Sequence, residues 1–228
     1  MKILASDYDN TLYVKNNEVF NKNIETIKKF ISRENIFCII TGRNYSNIKK
    51  DLEKLKIPYN YLICNDGAII FNCEDKCLKK EYLPIDKINK IQEILEKYNY
   101  KYRFEDGYTE TDILSDCVKI TGIIDDREDA NNVVEEIKEK VDVYVYLSTG
   151  HINIINSYVN KCTGLTTLSE IKNLDKNKIY VICDEINDLE MLQKFKGVTM
   201  KEHSKELDNL NLKTYDTLYE YIEELSKN

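Results

Sequence analysis

Apolar positions along the chain follow two periods, and the changes between them mark out the elements. Lys2–Ser6 (KILAS) is a short, nearly continuous apolar run, which predicts a buried strand ending at Asp7. Residues 21–34 place Ile24, Ile27 and Ile31 at helical spacing with Phe30 alongside. Ile36–Thr41 is again continuous and apolar, residues 44–55 have a helical pattern, and Tyr61–Cys64 predicts a third strand. The first 65 residues therefore predict β-α-β-α-β, which requires a parallel sheet with right-handed crossovers.

The pattern then changes. GAIIF and CLKKEYL flank the turn NCEDK and predict a β-hairpin. Residues 86–98 form an amphipathic helix with Ile88, Ile91, Leu95 and Tyr98 on one face. Strands near 100–105 and 117–124, a helix over 128–140, and the strands VDVYVYLS and HINII follow. This α-β-β-α-β-β block predicts an antiparallel sheet with helices on one face. After residue 157 the alternation resumes, with a helix at 163–172, the strand IYVICD, the helix INDLEMLQKF, the strand GVTM and the helix TLYEYIEEL. The expected organisation is α/β, with a core from residues 1–82 and 158–228 and an inserted α+β domain over 83–157.

Composition narrows the partners. A net charge of -7 argues against a nucleic-acid partner, because polyanions are repelled at long range. Small phosphorylated metabolites stay open, since a metal ion and a few cations can reverse the field inside one cleft. No apolar run approaches the ~20 residues needed to span a bilayer, and the start MKILASDYD is too acidic for a signal peptide. The 7 cysteines are odd in number and scattered, which suits a reducing cytoplasm. Nothing in the pattern sets an oligomeric state.

Four local signals carry chemistry. Asp7 and Asp9 stand at i and i+2 directly after a strand, so both project to one side of extended backbone. Asp184 and Asp188 follow the strand IYVIC, where grouped hard oxygens suit Mg2+, although Asn187 or Asp188 could simply cap a helix. Thr41-Gly42-Arg43 ends another strand, where a hydroxyl and backbone N–H groups could hold a phosphate oxygen. Lys161 precedes a short helix and says nothing alone. Ligands in open α/β sheets bind outside the carboxyl ends of the strands, which is where Asp7, Thr41 and Asp184 all stand.

Taken in order, DYDNT, TGR, the lysine before a helix and DxxND resemble the four motifs of the haloacid dehalogenase-like superfamily. The inserted block resembles the cap of Cof-type hydrolases and of phosphomannomutases, and ICNDGAII resembles their NGA segment. The resemblance implies a Rossmann-like core with a cap that reads the substrate. It implies an Mg2+-dependent phosphatase acting on a small phosphorylated metabolite, such as a sugar phosphate, through an aspartyl phosphate. A phosphomutase of the phosphomannomutase type, or a non-enzymatic phosphosugar sensor, are the alternatives.

In that scheme Asp7 is the nucleophile and Asp9 the general acid and base. Thr41, Gly42, Arg43, Lys161 and Asn187 lie on the substrate, and Lys161 also orients Asp7. Asp7, Asp9 (through its backbone carbonyl), Asp184 and Asp188 hold the metal. Three positions depart from the family pattern. Cys183 and Cys162 replace glycines, and Asp66 stands where Asn is usual, bringing a negative charge near the substrate. Arg103 could meet substrate from the cap, while His151 reads as structural and His203 as solvated.

Overall fold

The computed structural model describes residues 1–124, 127–148 and 150–227, so residues 125, 126 and 149 of the expected insertion lie outside the described set. The first segment runs β1 (Ile3–Asp7), α1 (Asn17–Ser32), β2 (Ile36–Ile40), α2 (Tyr45–Lys54), β3 (Tyr61–Cys64), β4 (Ile69–Asn72) and β5 (Cys77–Lys80). Next come α3 (Ile85–Lys97), β6 (Tyr102–Glu105), β7 (Glu110–Thr111), β8 (Lys119–Ile123), α4 (Arg127–Lys140), β9 (Val143–Ser148) and β10 (His151–Asn156). The chain ends with α5 (Lys161–Ile171), β11 (Ile179–Cys183), α6 (Leu189–Lys194), β12 (Lys196–Met200), β13 (Thr214–Tyr215) and α7 (Leu218–Lys227).

The larger sheet has the order β13-β12-β11-β1-β2-β3-β4-β5. It is parallel from β13 to β3, and the β4–β5 hairpin adds two antiparallel strands at one edge. Both faces of its centre are covered, which is why the strands read as unbroken apolar runs. Alternate β1 residues serve opposite cores: Leu4 packs with α1, α2 and α7 residues, while Ile3 and Ala5 pack with α5 and α6 residues. Leu4, Ile3 and Ala5 are all fully buried.

The smaller sheet, β7-β6-β8-β10-β9, is antiparallel throughout. Ile120, Ile152 and Ile154 on one face pack with Ile88, Ile91 and Leu95 of α3 and with Val133 and Ile137 of α4. The opposite face carries Arg103, Thr121, Asn153 and Tyr146 in one cross-strand row. This period-two split puts apolar side chains under the helices and polar ones toward the carboxyl ends of the larger sheet.

Some elements differ from the sequence-based expectation. Helix α1 starts at Asn17 rather than 21, because the Asn16 side chain caps it by accepting from the Glu18 and Val19 N–H groups. The helix expected over 186–195 opens as a 3-10 turn at Ile186–Asp188, held by a capping pair between Glu185 and Asp188. Strands β7 and β13 are two residues long and give no periodic signal. Among the described residues, no helix is long and apolar enough to cross a membrane.

Candidate active site

Strands β11, β1 and β2 are adjacent, and each ends in polar residues. Asp7 closes β1 in register with Ile40, so Thr41 follows on the neighbouring strand. Asp184 follows β11 on the other side. The parallel sheet thus aligns Asp184, Asp7 and Thr41 at one edge without any contribution from the loops. All three are buried, with exposures of 3%, 6% and 1%.

Lys161 arrives from the opposite end of the sequence as the first residue of α5, whose N-cap is Asn160. Its ammonium donates to Asp7 Oδ1 at 2.6 Å and pairs with Asp188 Oδ1 at 2.8 Å. The backbone that seats it is tight. A Cβ on Gly67 would stand 2.2 Å from the Asn160 carbonyl oxygen, and one on Gly164 would stand 2.7 Å from the Gly67 Cα. Gly67 also has φ +107, so a side chain there is excluded by conformation as well as by space. Only glycines let α5 approach the loop after β3 closely enough to deliver Lys161.

The electrostatics follow from burial. Three buried carboxylates, Asp7, Asp184 and Asp188, face one buried lysine. Burial, with Asp188 and Asp184 adding to it, holds the Asp7 carboxyl well above its usual range although Lys161 opposes the shift. Burial likewise pushes Asp184 up to about 6, against the stabilising hydrogen bond at 2.6 Å from Thr11 Oγ1. Burial alone would lower Lys161, but Asp188 and Asp7 outweigh it and hold the ammonium well above its ordinary value.

This excess of negative charge fits a divalent cation. The carboxylates of Asp7 and Asp184 at the strand tips are hard oxygen donors of the kind Mg2+ takes while keeping several waters. Asp188 is arranged differently: its Oδ1 is turned to Lys161, and its Oδ2 accepts from the Glu185 N–H at 3.3 Å. Among the described residues, no three acidic, histidine or cysteine side chains already close around one point.

Asp9 and Arg43 form the second part of the site. Arg43 Nε donates to Asp9 Oδ2 at 2.9 Å, its Nη2 reaches Asp9 Oδ1, and its Nη1 donates to Asp51 Oδ2 at 2.8 Å. The guanidinium also sits 5.0 Å from the centroid of the buried Tyr8 ring. Arg43 is therefore committed to two carboxylates, an arrangement that the motif TGR does not reveal. Thr41 Oγ1 accepts from the Arg43 N–H at 3.2 Å, while the Tyr45 and Ser46 N–H groups donate to the Gly107 and Tyr108 carbonyls. The first two amides of α2 are thus already partnered.

A cavity of about 970 Å³ joins these groups to the smaller sheet. Its floor includes Asp7, Asp9, Thr41, Gly42, Arg43, Lys161 and Asn187. Its roof is the polar row Arg103, Thr121, Asn153 and Tyr146, with Glu105, Lys119 and Ser148 beside it. Asp184 borders a second cavity of about 680 Å³. His151 lines the larger cavity, and His203, 13% exposed, meets the Met200 carbonyl at 2.7 Å and lines the smaller one.

Several roof residues escaped the motifs because they belong to none. Their one signal is alternation: Lys119 and Thr121 flank Ile120, and Asn153 lies between Ile152 and Ile154. The departures from the family pattern are also accounted for. Cys183 and Cys162 are buried in the apolar core beneath the site. Asp66 brings no net charge to the cavity, because Lys119 pairs with it at 2.7 Å. Burial pushes the Asp66 carboxyl up, yet Lys119 and Lys161 more than offset this and hold it below its usual range.

A family profile described as haloacid dehalogenase-like hydrolase matches residues 4–110 and 100–218. The 5-amino-6-(5-phospho-D-ribitylamino)uracil phosphatase YitU of Bacillus subtilis is 24% identical over 84% of this chain and 83% of its own length. A putative phosphatase of Buchnera aphidicola is 22% identical over 84% of this chain and 80% of its own. The fold is shared with a haloacid dehalogenase-like hydrolase from B. subtilis, with TM-score 0.86, 17% identity, and coverage of 99% of this chain and 100% of that one. It is shared too with a sugar phosphatase of haloacid dehalogenase subclass IIB, with TM-score 0.82, 15% identity, and 99% of each chain covered. The chain belongs to the haloacid dehalogenase-like hydrolase family, and it is a phosphatase of the Cof type.

Proposed function

We propose that this protein hydrolyses the phosphate ester of a small metabolite through an aspartyl phosphate formed on Asp7, working in the cytoplasm with Mg2+. The observation that carries this reading is the buried Asp7–Lys161–Asp188 chain at the strand tips, with Asp184 beside it. An Asp7 oxygen attacks phosphorus in line, and the bond to the leaving oxygen breaks. Asp9 gives that oxygen a proton, then takes one from the water that attacks the aspartyl phosphate. Phosphate leaves and the Asp7 carboxylate is restored. Lys161 holds Asp7 in place and offsets charge on the transferred group, and the Thr41 hydroxyl lies at the same edge to orient it. Bound Mg2+, held by Asp7, Asp184 and the Asp9 carbonyl, would neutralise developing charge on the phosphoryl oxygens. Asp188 acts here by fixing Lys161.

The segment 83–157 serves as the cap that selects the leaving group. Its roof offers hydroxyl and amide groups from Thr121, Asn153, Tyr146 and Ser148, which suit a hydroxyl-rich, sugar-like leaving group. YitU, named for a phosphoribitylamino substrate, and the sugar phosphatase of the same fold are consistent with such substrates.

A phosphate-release screen over sugar and polyol phosphates with Mg2+ tests the reading, with Asp7→Asn as control. The expected outcome is release from at least one such ester and a loss of more than about a hundredfold in the variant, or about 2.7 kcal/mol. A variant retaining more than about a hundredth of the rate would remove Asp7 as nucleophile. Conversion of a hexose 1-phosphate to the 6-phosphate without phosphate release would establish a mutase instead.

A further inference from the structure

Asp66 is where the smaller body meets the loops around the carboxylate cluster. The backbone there is committed to an unusual path, with Asn65, Asp66 and Gly67 all at positive φ (47, 56 and 107). On this path the Asn65 and Asp66 N–H groups donate to the Arg43 and Thr41 carbonyls at 3.0 and 3.1 Å. The Asp66 side chain, 2% exposed, accepts from Lys119 Nζ of β8 at 2.7 Å and from Asn187 Nδ2 at 3.3 Å. Lys119, 3% exposed, also donates to the Gly42 carbonyl at 3.0 Å.

The contact is reciprocated. Glu105 of β6 is buried and accepts from Asn44 Nδ2 at 3.2 Å and from Asn65 Nδ2 at 2.9 Å. The Tyr45 and Ser46 N–H groups donate to the Gly107 and Tyr108 carbonyls at 2.9 and 2.8 Å. Amides at a helix start have no intrahelical partner, so α2 is capped here by a turn of the other body.

We propose that Asp66, through Lys119, is a positioning residue that seats the smaller body on the Thr41–Arg43 turn, and that this seat completes the N-terminus of α2. Lifting the body would strand a buried ammonium, two buried carboxylates and two helix amides at once. Breaking a buried pair by removing one partner is costly, so the seat acts as a unit. An amide at position 66 leaves the charge of Lys119 uncompensated. The inference needs the phosphatase reading only for its kinetic consequence.

Hydrogen exchange resolved at the Tyr45 and Ser46 amides tests it on the full chain, in wild type, Asp66→Asn and Lys119→Met. The Leu4 and Ile39 amides, in central strands, report global unfolding. In wild type the two α2 amides should exchange about a hundredfold more slowly than an uncapped helix start. Each variant should speed them about tenfold or more while Leu4 and Ile39 keep their protection. The variants should also raise KM for the preferred metabolite more than for p-nitrophenyl phosphate, a split that a purely structural residue would not give. Uncapped rates in wild type, or unchanged rates in both variants, would overturn the proposal. If either variant loses protection at Leu4 and Ile39, Glu105→Gln, which weakens the reciprocal contact with Asn44 and Asn65 without leaving a charge unpaired, is read in its place with the same direction of change required. Failure of every form to release phosphate, with the exchange pattern intact, would count against the phosphatase reading and leave the seat standing.

Discussion

Lys161 and Arg43 are both cations beside the strand-tip carboxylates, yet their surroundings give them different work. Lys161 is buried between Asp7 and Asp188, so its charge is held at the proposed nucleophile. Arg43 is about one-third exposed and spans Asp9 and Asp51, so its planar fork fixes the carboxylate proposed to move protons. Delivery of a proton from Asp9 then requires one of its oxygens to leave the guanidinium. Arg43→Lys keeps a cation but cannot span both acids. Its kcat on an alkyl phosphate should fall about tenfold or more. The fall on p-nitrophenyl phosphate should be smaller, because that leaving group needs no proton. Equal losses on the two substrates would place Arg43 on the phosphoryl group rather than on Asp9.

At the scale of elements, the site depends on how closely α5 approaches the loop after β3. Gly67 and Gly164 meet with no room for a Cβ on either, and this contact sets where Lys161 begins its helix. Gly67→Ala therefore combines a strained backbone with a clash against the Asn160 carbonyl. Unfolding in denaturant should show a lower midpoint at an unchanged slope, a loss of about 1–3 kcal/mol. Turnover should fall as well, since the lysine is displaced from Asp7. A midpoint equal to that of wild type would show that α5 does not rest on Gly67.

At the scale of the molecule, the buried carboxylates make stability depend on a cation. Three buried carboxylates, Asp7, Asp184 and Asp188, face Lys161, and burial raises the carboxyls of Asp7 and Asp184. A ligand that binds only the folded state adds RT ln(1 + [L]/Kd), about 2.7 kcal/mol at a hundredfold excess over Kd. Mg2+ should therefore raise the thermal midpoint of the wild-type protein. Asp184→Asn should melt higher than wild type in chelator, because one buried charge is gone, and should lose the response to Mg2+. A wild-type midpoint indifferent to millimolar Mg2+ would rule out a resident cation at this cluster.

What the sequence settled by itself was the α/β core and the sheet edge at which Asp7, Thr41 and Asp184 meet. Apolar runs with short helical spacers allow only a parallel sheet. Asp7, Thr41 and Asp184 follow those runs directly, so their meeting needs no information from distant residues. Lys161 was legible only through its order among the motifs, because its contact with Asp7 spans 154 positions. The tertiary structure decided the rest. The partners of Asp66 and of Arg43, the polar roof from alternate strand positions, the α2 amides capped by another turn, and the burial of Cys162 and Cys183 all arise from packing between separate elements. The physical reason is that local pattern fixes period and strand ends, whereas the charge a side chain presents depends on which distant group is buried against it.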